Sequence, residues 1–259
     1  RTRVVAYCSE SQVFKPCVII PVFDHERAIR AVVDGVLAQK MPCIIVDDGS
    51  GPACARVLDE LASRAPDQII LLRHPHNRGK GDAVLTGVRC AAECGYSHAV
   101  QIDADGQHRI ADIPRFLSVA VARPEALIVG CPQYGDDAPV VRLWARHLTH
   151  LWVTINTLSR MIRDSMCGFR VYPLAAIMEL DRAQKLGGRM SFDVEVLVRL
   201  HWAGCEIINL STAVSYPSDG VSHFRAWLDS FLLSRLHATL FFGMLVRSPM
   251  LIARKWSRQ

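Results

Sequence analysis

Two carboxylates and an amide occupy alternate positions in the segment Asp103-Ala104-Asp105-Gly106-Gln107-His108. The apolar run before this segment is typical of a buried strand, and residues 111–114 after it carry a helix-start pattern. Carboxylate and amide oxygens are the ligands that Mg²⁺ and Mn²⁺ prefer. At the carboxyl end of a strand in an open α/β sheet, this pattern predicts a divalent-metal site at Asp103, Asp105 and Gln107. The alternative is an Asp-rich surface turn.

Two further segments place polar groups at strand ends. Asp47-Asp48-Gly49-Ser50 follows an apolar run, and a carboxylate there can accept hydrogen bonds from a base or a ribose. Asn77-Arg78-Gly79-Lys80-Gly81 begins a helical pattern, where glycines, positive charge and a helix N-terminus together suit a diphosphate. An ordinary Asp-Gly turn and an ordinary glycine-rich strand–helix connection are the alternatives.

Short apolar runs alternate with helical patterns throughout the first half of the chain. The predicted strands cover residues 17–22, 43–48, 68–73, 98–103 and 127–131. The predicted helices between them cover residues 26–39, 53–65, 79–94 and 113–122. This alternation is typical of an α/β fold with a mostly parallel central sheet. The second half predicts a long amphipathic helix over 140–161, a helix over 192–203, and short strands over 166–172 and 206–216.

Length and composition narrow the class of protein. A chain of 259 residues that is half apolar can form one α/β domain, which we place at residues 1–217. The net charge of +5 is mild, and no basic run early in the chain is interleaved with aromatic residues, so nucleic acid is discounted as a partner. The nine cysteines form no CxxC pair and no signal peptide is recognised, which favours reduced thiols in the cytoplasm.

The tail, residues 218–259, has an apolar character of its own. Apolar residues recur at helical spacing over 224–232, and residues 236–246 carry no full charge. Arg235, Arg247 and Pro249 interrupt the apolar run, so we expect it to fall short of the ~20 residues that a membrane span needs. The pattern predicts an amphipathic helix in the membrane interface. A core helix or a dimer helix is the alternative.

Six segments in this order carry a resemblance to a known family: CVIIPVFDHE, CIIVDDGS, HNRGKGDAVLTGV, QIDADGQH, DSMCGFRVYP and FDVEVLVRLHWAG. Over residues 16–217 the chain resembles family 2 glycosyltransferases, especially the cytoplasmic enzymes similar to dolichyl- and polyprenyl-phosphate sugar synthases. The resemblance implies a Rossmann-like GT-A fold. It also implies an inverting, metal-dependent transfer of a sugar from a UDP- or GDP-sugar to a lipid or lipid-phosphate acceptor.

The resemblance assigns roles to individual residues. The nucleoside pocket and the nucleotide are assigned to Pro21, Asp48 and Lys80. The metal on the donor diphosphate is assigned to Asp103, Asp105 and Gln107. The sugar or acceptor is assigned to Gly168, Phe169 and Arg170. One departure from the family pattern is Asp82, which replaces a small residue in the glycine loop and adds negative charge there.

Acidic and basic residues in the second half are candidates for handling the acceptor. If the acceptor is a hydroxyl, Asp193 or Glu195 is the candidate base. A lipid phosphate is already anionic at neutral pH, and Asp193 would then position it. Charge at a helix N-terminus is the alternative reading of both carboxylates. Arg142 and Arg146, one turn apart beside an apolar stripe, suit a lipid phosphate at the membrane surface, with a solvated helix face as the alternative.

The sequence thus predicts a glycosyltransferase peripheral to the inner face of the membrane, with a lipid-linked acceptor. Transfer to a polysaccharide is an alternative, although the chain has no Gln-x-x-Arg-Trp motif. A catalytically silent nucleotide-binding subunit is a second alternative, against which the intact DADGQH segment argues. A metal-dependent nucleotidyltransferase would instead release pyrophosphate.

Overall fold

The structure is a computed structural model that describes residues 13–133, 140–214 and 226–256, without the side chains of 140–145 and 226–229. The strands are β1 (Pro16–Val22), β2 (Cys43–Asp47), β3 (Ile69–Arg73), β4 (His98–Gln101), β5 (Leu127–Gln133), β6 (Arg170–Pro173) and β7 (Ile207–Ala213). The helices are α1 (Ile29–Ala38), α2 (Pro52–Arg64), α3 (Lys80–Glu93), α4 (Ile113–Ala122), α5 (Val140–Thr157), α6 (Leu174–Ala183), α7 (Phe192–Ala203) and α8 (Ala226–Trp256).

The seven strands form one sheet in the order β3-β2-β1-β4-β6-β5-β7. All neighbouring pairs are parallel except those of β6, which runs antiparallel to both β4 and β5. The sequence prediction of a mostly parallel α/β sheet is therefore confirmed. Parallel order brings the carboxyl ends of β2, β3 and β4 to one edge of the sheet, where the three polar segments follow them.

Helices cover both faces of the sheet, because successive side chains of β1 pack into apolar clusters on opposite faces. Cys17 and Ile19 face a cluster built with α3, α6, α7 and α8, whereas Val18, Ile20 and Val22 face a second cluster built with α1, α2 and α4. Burial on both faces explains why the strands are continuous apolar runs and do not alternate with polar residues. The two layers of helices fix the strand ends that carry the polar segments.

The second half departs from the sequence prediction in three places. Helix α5 ends at Thr157 rather than 161, and the next residue, Leu158, has a φ of 50° that no α-helix accommodates. Strand β6 begins at Arg170 rather than 166, because the Asp164 carboxylate accepts hydrogen bonds from the backbone N–H groups of Met166 and Cys167 and holds them in a turn. Helix α6 was not predicted at all.

Helix α8 is one long helix that packs on α5 and α7 through His237, Leu240, Met244 and Leu251. Contrary to the expectation from its interrupting residues, the 27-residue stretch Ser230–Trp256 is long and apolar enough to cross a membrane by length and composition. Those two criteria alone are weak evidence for a span. The predicted boundary between residues 217 and 218 lies outside the described residues.

Candidate functional site

Lys80 joins two carboxylates that are far apart in the sequence. Its Nζ lies 2.8 Å from Oδ1 and 2.9 Å from Oδ2 of Asp103, and 2.8 Å from Oδ2 of Asp193. Lys80 is the first residue of α3, Asp103 follows β4 by two residues, and Asp193 is in the first turn of α7. The lysine therefore fixes three separate elements around one ammonium group.

The charges in this triad stabilise one another. Burial by itself would lower the pKa of Lys80, but the carboxylates of Asp103 and Asp193 outweigh burial and raise that pKa. Burial would likewise raise the pKa of Asp103, but the positive charge of Lys80, with His108 close by, outweighs burial and holds that pKa below its usual range. Both groups are therefore charged at neutral pH.

A buried polar network holds Asp193 from below. Gln101, the last residue of β4, donates from Nε2 to Asp193 Oδ1 over 3.2 Å, and its Oε1 accepts a hydrogen bond of 3.1 Å from the Tyr172 hydroxyl. Burial raises the pKa of Tyr172 to about 12, so the hydroxyl keeps the proton that it donates. Neither residue was predicted as a site residue, although a glutamine inside an apolar strand was the available signal.

Arg170 and Phe169, predicted near the sugar or acceptor, are fully buried beneath the site. The Arg170 guanidinium donates 2.6 Å to the backbone carbonyl of Asp193, and it also donates to the carbonyls of Ser165 and Cys167. Phe169 stacks on Phe116 with ring centroids 4.3 Å apart. Both side chains therefore support the site in this structure, and direct contact with a substrate stays a prediction.

Gly168, which the resemblance assigns to the sugar or acceptor, lies against the Asp103 carboxylate, and its contact with a substrate stays a prediction. A Cβ at this position would be 2.6 Å from Asp103 Oδ1 and would overlap Oδ2 as well. A glycine is therefore required if Asp103 is to keep its position against Lys80.

Asp48 ties the glycine loop to the end of β2. Its Oδ1 is 2.7 Å from His74 Nδ1 and accepts a hydrogen bond of 2.9 Å from the Arg78 N–H. Its Oδ2 accepts 2.7 Å from the N–H of Gly79, whose φ of 102° requires a glycine. The carboxylate thus orders the loop that precedes Lys80, and its predicted contact with the nucleoside stays a prediction. Pro21 is buried in β1, beside Val46 of β2.

The loop between α6 and α7, residues 184–191, covers the start of α3. Glu195 holds this loop: its Oε2 accepts 2.7 Å from the Gly187 N–H, while Oε1 pairs with Arg199 at 2.7 Å. The Asp82 N–H donates 3.0 Å to the Gly188 carbonyl. The Asp82 carboxylate, which had no explanation from the sequence, lies 3.6 Å from Arg78 and beside Gly188. Its charge is therefore paired with Arg78 of the same segment, while its backbone N–H joins the two loops.

The predicted metal ligands provide hard oxygen atoms, as the metal requires. Asp103 Oδ1 is buried and accepts no aligned hydrogen bond, although it lies close to Lys80. Asp105 is half-buried, and its Oδ1 accepts 3.0 Å from the Gln107 N–H. Among the described residues no three His, Cys, Asp or Glu side chains converge on one point. This donor set fits Mg²⁺ or Mn²⁺, which often take one or two carboxylates and complete their shell with substrate phosphate and water.

Of the two arginines predicted on α5 to contact a lipid phosphate, the structure describes the side chain of Arg146. Arg146 pairs with the buried Asp164 carboxylate, with Nη2 2.5 Å from Oδ2, and His150 Nε2 lies 3.7 Å from the same oxygen. Because Asp164 also holds the turn before Gly168, Arg146 is connected to the site through that turn. The Arg142 side chain lies outside the described residues.

A small cleft of about 120 Å³ opens beside the triad. Its lining combines charged residues, Lys80, Asp103 and Asp193, with apolar residues, Met166, Met190 and Leu233. Leu233 belongs to α8, so this helix contributes directly to the lining of the candidate site. A lining that is both charged and apolar is suited to a ligand with a charged and an apolar part.

The sheet is mostly parallel, and carboxylates, a lysine and a glycine-rich helix start lie together at its carboxyl edge. This arrangement is typical of the class of nucleotide-dependent α/β enzymes. Within that class, the sequence profile of glycosyl transferase family 2 matches residues 17–178, which is more than half of the chain. The chain belongs to glycosyl transferase family 2.

Two relatives with named activities are similar to this chain over most of its length. The chain is 27% identical over 212 residues to polyprenol monophosphomannose synthase of Mycolicibacterium smegmatis, covering 79% of each chain. It is 32% identical over 200 residues to a dolichyl-phosphate beta-glucosyltransferase of Trichomonas vaginalis, covering 70% of this chain and 59% of the relative.

Solved structures confirm the fold. A mannosyltransferase from Pyrobaculum calidifontis, in complex with GDP-Man and Mn²⁺, matches with a TM-score of 0.58 at 15% identity, over 90% of this chain and 64% of that protein. Glucosyl-3-phosphoglycerate synthase from Mycobacterium tuberculosis, in complex with Mn²⁺, UDP-glucose and phosphoglyceric acid, matches with a TM-score of 0.61 at 14% identity, over 90% and 80% of the two chains. The GT-A fold expected from the sequence is therefore confirmed.

Replacing Gly168 with alanine tests the close approach to Asp103. We expect Gly168→Ala to displace the Asp103 carboxylate and to lower kcat/KM roughly a hundredfold, the scale of a displacement of about 1 Å in an active site. The control is Gly95→Ala, which has open space around its Cβ but a strained φ of 72°. Equal activity of the two variants at matched stability would contradict this role for Gly168.

Removing the Tyr172 hydroxyl tests the network beneath Asp193. We expect Tyr172→Phe to leave Gln101 Oε1 unpaired and to lower kcat roughly tenfold, which corresponds to about 1.4 kcal/mol, with little change in the KM for the donor. Tyr96→Phe, at the far end of α3, is the matched control. A kcat equal to that of this control would show that the network does not position Asp193.

Proposed function

We propose that this protein transfers a sugar from a nucleotide diphosphate to a lipid phosphate at the cytoplasmic face of a membrane. The observation that carries the proposal is the cleft whose lining combines the charged triad with apolar residues, including Leu233 of α8. The names of the relatives, which specify polyprenol and dolichyl-phosphate enzymes, support the same class of acceptor.

On the donor side, Asp103, Asp105 and Gln107 would hold a divalent metal against the diphosphate. The metal would neutralise the negative charge that develops on the departing nucleoside diphosphate. The complexes of the two structural neighbours with Mn²⁺ and a nucleotide sugar support this arrangement. The ordered glycine loop, with the N-terminus of α3 behind it, favours the negative charge of the diphosphate.

On the acceptor side, Asp193 is the stronger of the two candidate carboxylates. Asp193 borders the cleft beside Lys80, whereas Glu195 is not among the residues that line it. The two oxygens of Glu195 hold the Gly187 N–H and Arg199 instead. A phosphate acceptor brings its own nucleophilic oxygen, so Lys80 would attract the anion and Asp193 would orient Lys80 without removing a proton.

The membrane contact is proposed from apolar side chains that are exposed in the part of the chain that the structure describes. On α8, Phe231, Phe242 and Val246 are 66%, 67% and 81% exposed. On the neighbouring α5, Leu148 and Leu151 are 59% and 57% exposed. Because α8 also carries Leu233 into the cleft, this apolar surface leads from the membrane interface to the reacting groups.

Nucleotide binding tests the donor site. We expect one of UDP and GDP, in the presence of Mn²⁺, to raise the melting temperature, since a ligand at 100 times its Kd adds about 2.7 kcal/mol to stability. Asp105→Ala should abolish the metal-dependent part of this shift, because it removes a charged oxygen ligand. Asp67→Ala, which removes an exposed carboxylate elsewhere, is the control. A full metal-dependent shift in Asp105→Ala would contradict the assignment.

A matched pair of valines tests the membrane surface. We expect Val246→Glu to reduce binding to phospholipid vesicles about tenfold, because an apolar side chain of this size contributes roughly 1.5 kcal/mol or more when it leaves water. Val121→Glu, on α4, makes the same change at a side chain that is 57% exposed and should leave vesicle binding unchanged. Equal sedimentation of both variants with vesicles would show that α8 does not contact the membrane.

A further inference from the structure

A second and much larger cleft lies at the opposite end of the helical layer. It has a volume of about 820 Å³ and is bounded by the C-terminal ends of α5, α7 and α8. Helix α7 separates the two clefts, since its 12 residues run from Phe192 beside the triad to Ala203 beside this cleft. A helix of that length spans about 18 Å, so the large cleft is distinct from the reacting groups.

The walls of this cleft are largely apolar. Leu158 and Met161 line it from the end of α5, and Leu251 and Ile252 line it from α8. Ile252 is 48% exposed and continues into the uncovered apolar surface of α8, which ends at Trp256. A cleft of this volume is in the range of ordinary small-molecule sites. Its mouth therefore opens onto the surface proposed to meet the membrane.

Positive charge surrounds the mouth. Arg160, Arg254 and Lys255 line the cleft, and none of the described lining residues is acidic. Arg160 and Lys255 have no acidic partner in the part of the chain that the structure describes, whereas Arg254 donates 2.7 Å to the Trp202 carbonyl. Each helix C-terminus contributes roughly half a negative charge. Even three such ends, about one and a half negative charges, do not neutralise the two full positive charges of Arg160 and Lys255, so the mouth is cationic.

We propose that this cleft binds an anionic phospholipid, with an acyl chain along the apolar walls and the phosphate near Arg160 and Lys255. A neutral lipid would leave the cations without a partner, and a free phosphate would leave the apolar walls in water. This lipid is separate from the acceptor, which reacts near Lys80. The proposal shares with the proposed function only the contact of α8 with the membrane.

Charge reversal tests the headgroup contact. We expect the double variant Arg160→Glu/Lys255→Glu to bind vesicles of phosphatidylcholine with phosphatidylglycerol roughly thirtyfold more weakly than the unchanged protein, since basic residues contribute to binding an anionic surface one by one. Binding to phosphatidylcholine vesicles alone should change little. Arg56→Glu/Arg182→Glu is the matched control, because it reverses two exposed charges on α2 and α6. An equal loss of vesicle binding in both double variants would show that any basic residue attracts the protein to an anionic surface, and it would overturn the proposal.

Cys205 reports whether the cleft itself is filled. This half-buried cysteine lines the cleft, whereas Cys94 is exposed at the end of α3. We expect vesicles that contain phosphatidylglycerol to slow N-ethylmaleimide labelling of Cys205 at least fivefold relative to Cys94, and phosphatidylcholine vesicles not to do so. Unchanged labelling of Cys205 at saturating vesicle concentration would overturn the proposal. Sugar transfer to a short-chain polyprenyl phosphate without vesicles, which both double variants should retain, tests the proposed function separately.

Discussion

The bridge that Lys80 forms between Asp103 and Asp193 is the constraint on which the rest of the site depends. Three charged groups are largely removed from water here, and such burial is costly unless the charges are paired with good geometry. The close distances, all below 3 Å, supply that pairing. The pairing in turn requires that the ends of β4, α3 and α7 stay in fixed relative positions.

Much of the surrounding structure maintains those positions. Gly168 leaves room for the Asp103 carboxylate, Asp48 orders the loop that leads into Lys80, and Arg170 holds the backbone at Asp193 from below. Several residues that the resemblance associates with substrates thus also hold the charged groups of the site in position. The two roles are compatible, because groups that are held rigidly by their neighbours also present a binding surface with little cost of reorganisation.

The sequence predicted the first half of the fold well, because short buried strands and amphipathic helices alternate there with a clear change of period. It predicted the triad members as separate candidates but could not show that one lysine joins two of them, since residues 80, 103 and 193 meet only in three dimensions. The true start of β6 was missed because a side chain, Asp164, fixes the preceding turn through backbone N–H groups. The burial of Arg170 could not be foreseen either, because an arginine is seldom fully buried unless partners from distant segments surround it.

Transfer of a sugar to a lipid phosphate is tested by identifying the glycosylated lipid that it would produce. The measurement is mass spectrometry of the lipid fraction after incubation with Mn²⁺, GDP-mannose or UDP-glucose, and a polyprenyl phosphate, with the corresponding polyprenol in a parallel reaction. We expect a glycosylated polyprenyl phosphate from one donor, release of the matching nucleoside diphosphate, and no product from the polyprenol. Glycosylation of the polyprenol alone, or donor cleavage that releases pyrophosphate, would contradict this expectation.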